Sequence, residues 1–357
     1  MVRVGLIGFG VAGQAFHAAV IRGVAGMELA CVLERKGNRV QEKYPEVRVA
    51  RTPEELLADK EIQLCVVATP NDSHFELARA CLLAGRDVVV DKPFAPTLRE
   101  AEDLVRLAAE RGRLITVYQD RRFDGDFGTV KKILESGQLG TVVEYECRYD
   151  RFRLEPKANA WRERADQPAA GVLFDLGPHV IDQALVLFGE PSAITASAFC
   201  QRATSRIDDA FDVSFEYSGA RAGLRVYLRA RIVAYAPGPH FLIHGTNGSF
   251  VKYGMDPQEA RLRGDNCPQG TDWGAGWGEE TENLWGTLSL VGEPATRVKT
   301  ERGDYRRFYE NMRDAIEKKA PLSITPEQAL RTMRAVVLAH KSSRERRTVG
   351  WSEALDL

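Results

Sequence analysis

MVRVGLIGFGVAGQAF, residues 1–16, sets four glycines into a largely apolar run. Residues 3–7 form a short apolar run, Gly8 follows at once, and residues 14–24 take helical spacing, with Ala15, Ala18, Ala19 and Val20 on one face. The pattern predicts a strand, a glycine turn and a helix. In GFGVAG, Gly8 permits the tight turn, Gly10 lets the main chain approach a pyrophosphate, and Gly13 lets helix and strand pack closely. The helix N-terminus then faces the anion. Gly8, Phe9, Gly10, Val11, Ala12 and Gly13 are therefore expected to cradle a dinucleotide, the alternative being glycines that serve an ordinary turn. The early arginine and apolar residues also give the stretch a superficial likeness to a secretory signal, but cleavage there would remove a coherent strand, turn and helix.

Outward from this turn the pattern repeats. Residues 27–33 read as a buried strand, and a helix over 39–44 stops before Pro45. Thr52 followed by Pro53, Glu54 and Glu55 is an N-cap, a proline at the first helical position and acids in the first turn. Residues 64–68, 87–90 and 114–118 read as strands, separated by helices over 71–85 and 97–111 that close at glycines. The strands are continuously apolar rather than alternating, which implies a parallel sheet covered on both faces. Residues 1–120 are accordingly read as a Rossmann domain, a doubly wound α/β sheet.

Ligands of open α/β sheets sit outside the carboxyl ends of the strands. Thr69, Pro70, Asn71 and His74, then Asp91, Lys92 and Pro93, then Gln119, occupy such ends and are expected around the dinucleotide. Glu34 ends the second strand roughly 20 residues beyond the turn, where a carboxylate accepts hydrogen bonds from the adenosine ribose and favours NAD. Arg35, Lys36 and Arg39 are cations placed for a 2′-phosphate and favour NADP, unless they form only a solvated loop. The cofactor is read as NAD(P), with the choice between the two left open.

After residue 118 the texture changes. A helix over 127–136 precedes short strands at 142–149, 192–199, 212–217, 223–230, 241–245 and 248–253, split by turn residues as in an antiparallel sheet. Residues 121–357 are read as an α+β substrate-binding and oligomerisation domain with a large open, mainly antiparallel sheet, its last helix, about 325–343, packing back on the body. An open sheet leaves a face needing cover, so a homodimer or homotetramer is expected.

Composition excludes several classes. Lysine plus arginine, 49, balances aspartate plus glutamate, 50, so no global field would hold nucleic acid or an anionic membrane. No apolar run approaches the ~20 residues of a membrane span. The six cysteines lie far apart with no CxxC pair, as expected for reduced, mostly buried thiols in the cytoplasm. A small-molecule partner is favoured.

Two segments carry chemistry. Lys92 projects from the same sheet edge as the glycine turn, where an ammonium could hold a substrate hydroxyl and stabilise the alkoxide formed during hydride removal. In GVLFDLGPHVIDQALVLFG, Asp175, His179 and Asp182 fall at helical spacing on one face among apolar residues. His179 can act as a general base, with Asp175 orienting it. The bland alternative is a helix start, with Asp175 or Gly177 as cap, Pro178 in the first position and His179 in the first turn. No further ligand cluster suggests a metal.

Together GFGVAG, DKP and DLGPHVID resemble the Gfo/Idh/MocA family of dehydrogenases over essentially the whole chain. DKPF, QDRRFDGDF, RFR, WRE and HGTNGSFVKYGMDPQE are similar to the branch containing bacterial NADP-dependent inositol dehydrogenases. The resemblance implies that His179 is acid or base, that Lys92 polarises the reacting hydroxyl, and that Asp175 tunes His179. It also implies Arg121 and Arg122 beside the nicotinamide, with Tyr149, Arg151, Trp161 and Arg162 on the side of a polyol, inositol or sugar substrate. Three residues depart from the family pattern. Asp91 replaces the commoner glutamate, Asp120 stands where asparagine is common, and Glu34 stands where NADP users carry a small hydroxyl residue. Rival readings are a non-catalytic NAD(P) sensor or scaffold and a relative that recycles its cofactor during hydrolysis or epimerisation.

Overall fold

The structure, a computed structural model, describes residues 1–156, 161–264 and 267–355. The chain divides into two compact units. The first comprises Met1–Phe123, Pro257–Trp277 and Asp304–Leu330, and the second Asp124–Asp256, Gly278–Gly303 and Arg331–Leu357.

The first unit is built on a six-stranded sheet with β1 (Val2–Ile7), β2 (Met27–Leu33), β3 (Arg48–Ala50), β4 (Leu64–Val67), β5 (Asp87–Val90) and β6 (Ile115–Val117). The order is β3-β2-β1-β4-β5-β6, and every pairing is parallel. Continuous hydrophobicity has the predicted cause. Along β4, Leu64 and Val66 face one apolar cluster while Cys65 and Val67 face another, so both surfaces of the sheet are buried. The strand order reverses at β1, with β2 on one side and β4 on the other, which opens a crevice at the carboxyl end of β1. There the chain enters a π-helical stretch, Gly13–Ala18, that runs into α1 (Ala19–Arg22).

Short helices α2 (Arg39–Lys43) and α3 (Pro53–Leu57), then α4 (His74–Leu83) and α5 (Leu98–Glu110), complete the alternation. Thr52 caps α3 as the sequence predicts, accepting from Glu55 N at 3.2 Å. Thr97 and Glu100 form a reciprocal capping box on α5. Strand β3 escapes sequence reading because three edge residues carry too little periodicity to register.

The second unit contains β7 (Val142–Asp150), β8 (Ala193–Phe199), β9 (Ala210–Glu216), β10 (Arg225–Arg231), β11 (Phe241–Gly245), β12 (Gly248–Lys252), β13 (Gly286–Leu290), β14 (Thr296–Val298) and β15 (Val349–Gly350). They form a sheet in the order β14-β13-β12-β11-β7-β10-β9-β8-β15. Among the described residues only β7 and β10 pair in parallel. Alternation is sharp on β7: Tyr145, Cys147 and Tyr149 enter the core, while Glu146 and Arg148 pair with each other on the opposite face. Arg229 and Arg231 extend that ionic face to Asp212. Helices α6 (Gly125–Glu135), α7 (Val172–Asp175) and α8 (Gly177–Phe188) contribute to the core.

Four of the six free cysteines, Cys31, Cys65, Cys81 and Cys147, are buried. Among the described residues no helix is long and apolar enough to cross a membrane.

Candidate active site

The glycine turn meets the requirements of a pyrophosphate cradle at each position. Gly8 has φ +105°, and a Cβ there would lie 2.5 Å from the carbonyl oxygen of Ala68, so only glycine fits. A Cβ on Gly13 would lie 2.2 Å from the carbonyl oxygen of Gly8, which is the close approach of helix to strand. At Gly10 a Cβ would meet nothing within 4 Å, so this is the open side of the turn. Gln14 holds the loop in shape, its N–H donating to Gly10 O and its side-chain amide to Phe9 O, each at 2.9 Å. Phe9 is buried, Val11 is exposed and Ala12 is half-buried. A polar group is also waiting at this sheet edge. Gln119 is 3% exposed, and its Oε1 has no hydrogen-bond partner among the described residues. An open glycine and an orphaned amide oxygen fit a bound dinucleotide.

Glu34 follows β2 directly and is buried, with Oε1 accepting from Arg39 Nε at 2.9 Å and Oε2 from Val40 N at 3.3 Å. It thus supplies the cap that Asn38 does not give to α2. Arg35, Lys36 and Arg39 are exposed. The loop that carries them is shaped by Arg51, which donates to the carbonyls of Glu34 and Gly37 at 2.8 and 2.7 Å. Sequence reading had no signal for Arg51. Thr69 and Ser73 hydroxyls bond at 2.7 Å beside the exposed Pro70 and the buried Asn71.

Beneath Lys92 lies a buried polar cluster within the same unit. Asp91 Oδ1 accepts the Lys92 backbone N–H at 2.8 Å. Asp91 Oδ2 faces His17 Nε2 at 3.9 Å, which is an electrostatic contact rather than a hydrogen bond, and His17 Nδ1 shares a proton with the Tyr309 hydroxyl at 2.6 Å. Burial would raise the Asp91 carboxyl, but His17, then Lys92 and His74, outweigh it and hold the group at about 2. Burial pushes the neighbouring Asp120 carboxyl up to about 6, with Asp91 and Glu259 adding to the rise and Arg121 and Lys92 opposing it. Arg121 is buried, donates to the Tyr305 hydroxyl at 2.9 Å and pairs with Glu259, while Arg122 donates to Gln328 Oε1 at 2.7 Å. Both arginines thus have partners within the first unit. Glu259, Tyr305, Tyr309 and His17 were missed by sequence reading.

The second unit carries the remaining predicted residues. His179 is 7% exposed and stacks on Tyr149, ring centroids 6.1 Å apart with an interplanar angle of 23°. Arg151 lies over the same tyrosine ring at 4.9 Å and donates to its hydroxyl at 3.2 Å. Arg162 Nε is 3.0 Å from Asp175 Oδ1. The Trp161 side chain lies outside the described residues.

One expectation is corrected here. Asp175 and His179 do not share a helix, because α7 ends at Asp175, Leu176 intervenes, and α8 begins at Gly177 with Pro178 in its first turn. The local geometry of the bland reading therefore holds around Pro178 and His179, although Asp175 does not cap. Leu176, the residue preceding α8, makes no side-chain cap bond. Asp182 serves structure, accepting from the Thr332 hydroxyl at 2.9 Å. The start of α7 is set by Asp208, whose Oδ2 accepts from Leu173 N at 2.8 Å and whose carbonyl accepts from Val172 N at 3.0 Å. Burial pushes the Asp208 carboxyl up to about 6 against the pull of these N–H groups.

Comparison with known proteins converges on one family. Residues 2–119 match the model described as the oxidoreductase family NAD-binding Rossmann fold, and residues 131–350 match its C-terminal alpha/beta domain. The chain is 39% identical to the uncharacterized oxidoreductase YdgJ of Escherichia coli, covering 98% of each. It is 34% identical to the scyllo-inositol 2-dehydrogenase (NADP(+)) IolW of Bacillus subtilis, covering 98% of this chain and 95% of that one. The solved structure of the oxidoreductase yvaA from Bacillus subtilis superposes with a TM-score of 0.90 at 34% identity, over 98% of this chain and 99% of that one.

Proposed function

This chain belongs to the Gfo/Idh/MocA oxidoreductase family and is an NAD(P)-dependent dehydrogenase or reductase, and we propose that it interconverts a secondary alcohol and a ketone on a polyol, inositol or sugar. The observation that carries the substrate class is full-length similarity to an inositol dehydrogenase, joined to the presence of Lys92, Asp175 and His179 in the DKP and DLGPH segments. NAD(P), when bound, supplies the hydride acceptor. Residues 8–13 hold its pyrophosphate, and Thr69, Asn71 and Gln119 border it. Lys92 donates a charge-assisted hydrogen bond to the reacting oxygen and stabilises negative charge as it develops there. His179 takes the hydroxyl proton in the oxidative direction and returns it in the reductive one. Asp175 orients and tunes His179, and Arg162, paired with Asp175, joins Tyr149 and Arg151 in binding substrate hydroxyls.

We place the reaction in the cytoplasm and assign the ionic outer face of the second sheet to self-association as a dimer or a dimer of dimers. The sheet presents cross-strand ion pairs there, Arg229 with Glu146 between β10 and β7 and Arg231 with Asp212 between β10 and β9. Light scattering that gives a monomer at working concentration contradicts that assignment. The substrate class is tested by following reduced nicotinamide across a panel of inositols, polyols and aldoses with both NAD and NADP. Turnover of at least one supports the reading. No turnover of any, with tight NADPH binding, favours a non-catalytic role.

A further inference from the structure

His74 is fully buried at the start of α4, and both of its ring nitrogens meet main-chain carbonyls. Nδ1 lies 2.8 Å from the carbonyl oxygen of Pro93, and Nε2 lies 3.0 Å from that of Thr69. A carbonyl oxygen only accepts hydrogen bonds. A neutral imidazole has one N–H and one bare lone pair, so either neutral tautomer would press a lone pair against a carbonyl oxygen in a buried setting. Only the imidazolium donates to both.

A buried cation needs a compensating charge. Asp91 supplies one. Its carboxylate is buried, and His74 is among the groups that favour its ionised form. The Asp91 carboxylate is shared with two further groups, Lys92 after β5 and His17, which meets it from the π-helical stretch before α1. Asp72 and Glu76, close in sequence, are exposed.

The two carbonyls have separate significance. Pro93 follows Lys92 directly. Thr69 is the second residue after β4, and a Cβ on Gly8 would lie 3.1 Å from its side chain, so this segment abuts the glycine turn. We propose that His74 is held as an imidazolium that ties the Lys92 turn to the dinucleotide-binding edge, making it a positioning residue for Lys92. In this role His74 acts through the main chain. It fixes the main chain on one side of Lys92, while Asp91 fixes it through the Lys92 N–H. The functional half of this proposal rests on the role assigned to Lys92, whereas the charge on His74 does not.

Two measurements test it. In full-length protein labelled with nitrogen-15 histidine, two-bond proton–nitrogen correlation spectra report the state of each of the six rings, and His74→Gln identifies the His74 signals by their loss. Both His74 nitrogens should appear protonated from about pH 6 to about pH 8.5, well above the usual histidine range. A bare, pyridine-type nitrogen on His74 at neutral pH overturns the charge assignment. In the second measurement, His74→Gln, which can donate to only one region, should lower kcat by roughly 100-fold on whichever polyol the wild type turns over, the scale expected for about an ångström of misplacement. Its Kd for NADPH should rise by no more than about tenfold, equivalent to about 1.4 kcal/mol, because the Thr69 end of the tie also borders the dinucleotide. Wild-type kcat in this variant overturns the positioning role, as does a parallel loss of NADPH affinity. If the wild type turns over no polyol, the substrate reading has failed and the spectra still decide the charge.

Discussion

Arg39 Nε donates to Glu34 Oε1 at 2.9 Å, so the carboxylate at the end of β2 and one of the cations beside it are bound to each other. A carboxylate at this position would oppose a 2′-phosphate by charge, and Glu34 also holds Arg39 and the first turn of α2 in place. Glu34→Ser removes the repulsion and releases Arg39. The ratio of kcat/KM for NADP to that for NAD should rise by about tenfold or more, equivalent to about 1.4 kcal/mol. An unchanged ratio would show that neither residue reads this end of the cofactor.

The glycine turn makes a contrasting pair of predictions. Gly13→Ala drives a methyl group into the main-chain carbonyl of Gly8, where nothing can swing aside. It should destabilise the protein by about 1–3 kcal/mol, read as a lower Tm. Gly10→Ala points into open space, so its Tm should match the wild type. Its dinucleotide Kd should nevertheless rise at least about tenfold, because the methyl occupies the approach to the pyrophosphate. Equal effects on both readouts would remove the distinction drawn between the two glycines.

Asp120 predicts a pH effect on catalysis. Its carboxyl, raised to about 6, is mostly neutral in mildly acidic solution and ionised at neutral pH, where it adds negative charge near Lys92. The wild-type kcat/KM profile should therefore carry a component near pH 6 that Asp120→Asn lacks, with any limb due to His179 present in both. Superimposable profiles would exclude Asp120 from the chemistry.

Asp208 predicts a pH effect on stability. Its folded pKa, about 6, exceeds the unfolded value of 3.8, so between these values the native state binds more protons and stability falls as pH rises. The penalty is complete above about pH 6, and partial solvent exposure limits it to at most about 2 kcal/mol. Asp208→Asn keeps an acceptor for Leu173 N without the buried charge. Its Tm relative to wild type should be higher at neutral pH than at pH ~4. A difference in Tm that does not change with pH would contradict this.

Much of the first unit was legible because its signals are local. The ends of β2 and β5 coincide with apolar runs bounded by turn residues, and Thr52 and Thr97 cap the helices that follow them. Strands β13, β14 and β15 carry weak patterns of their own and owe their assignment to neighbours across the sheet. Helices Gln258–Arg263 and Arg306–Ile316 return to the first unit from far along the chain. They bring Glu259, Tyr305 and Tyr309 with them. His17 and Tyr309, 292 residues apart, could not be paired by spacing. The break at Leu176 was hidden for the opposite reason: a helical period continues through it, although the backbone interrupts the helix before Pro178.

If Lys92 and His179 handle the reacting hydroxyl and the glycine turn binds the dinucleotide, removing either side chain should stop turnover and spare cofactor binding. The most direct test compares initial rates of reduced-nicotinamide formation by wild type, Lys92→Ala and His179→Ala on the same polyol, alongside NADPH titration of each. Turnover should fall by roughly 100-fold or more in both variants, the scale expected for losing a positioned proton-transfer group or a charge-stabilising donor, with NADPH affinity nearly unchanged. Wild-type turnover in both variants would rule out these roles for Lys92 and His179.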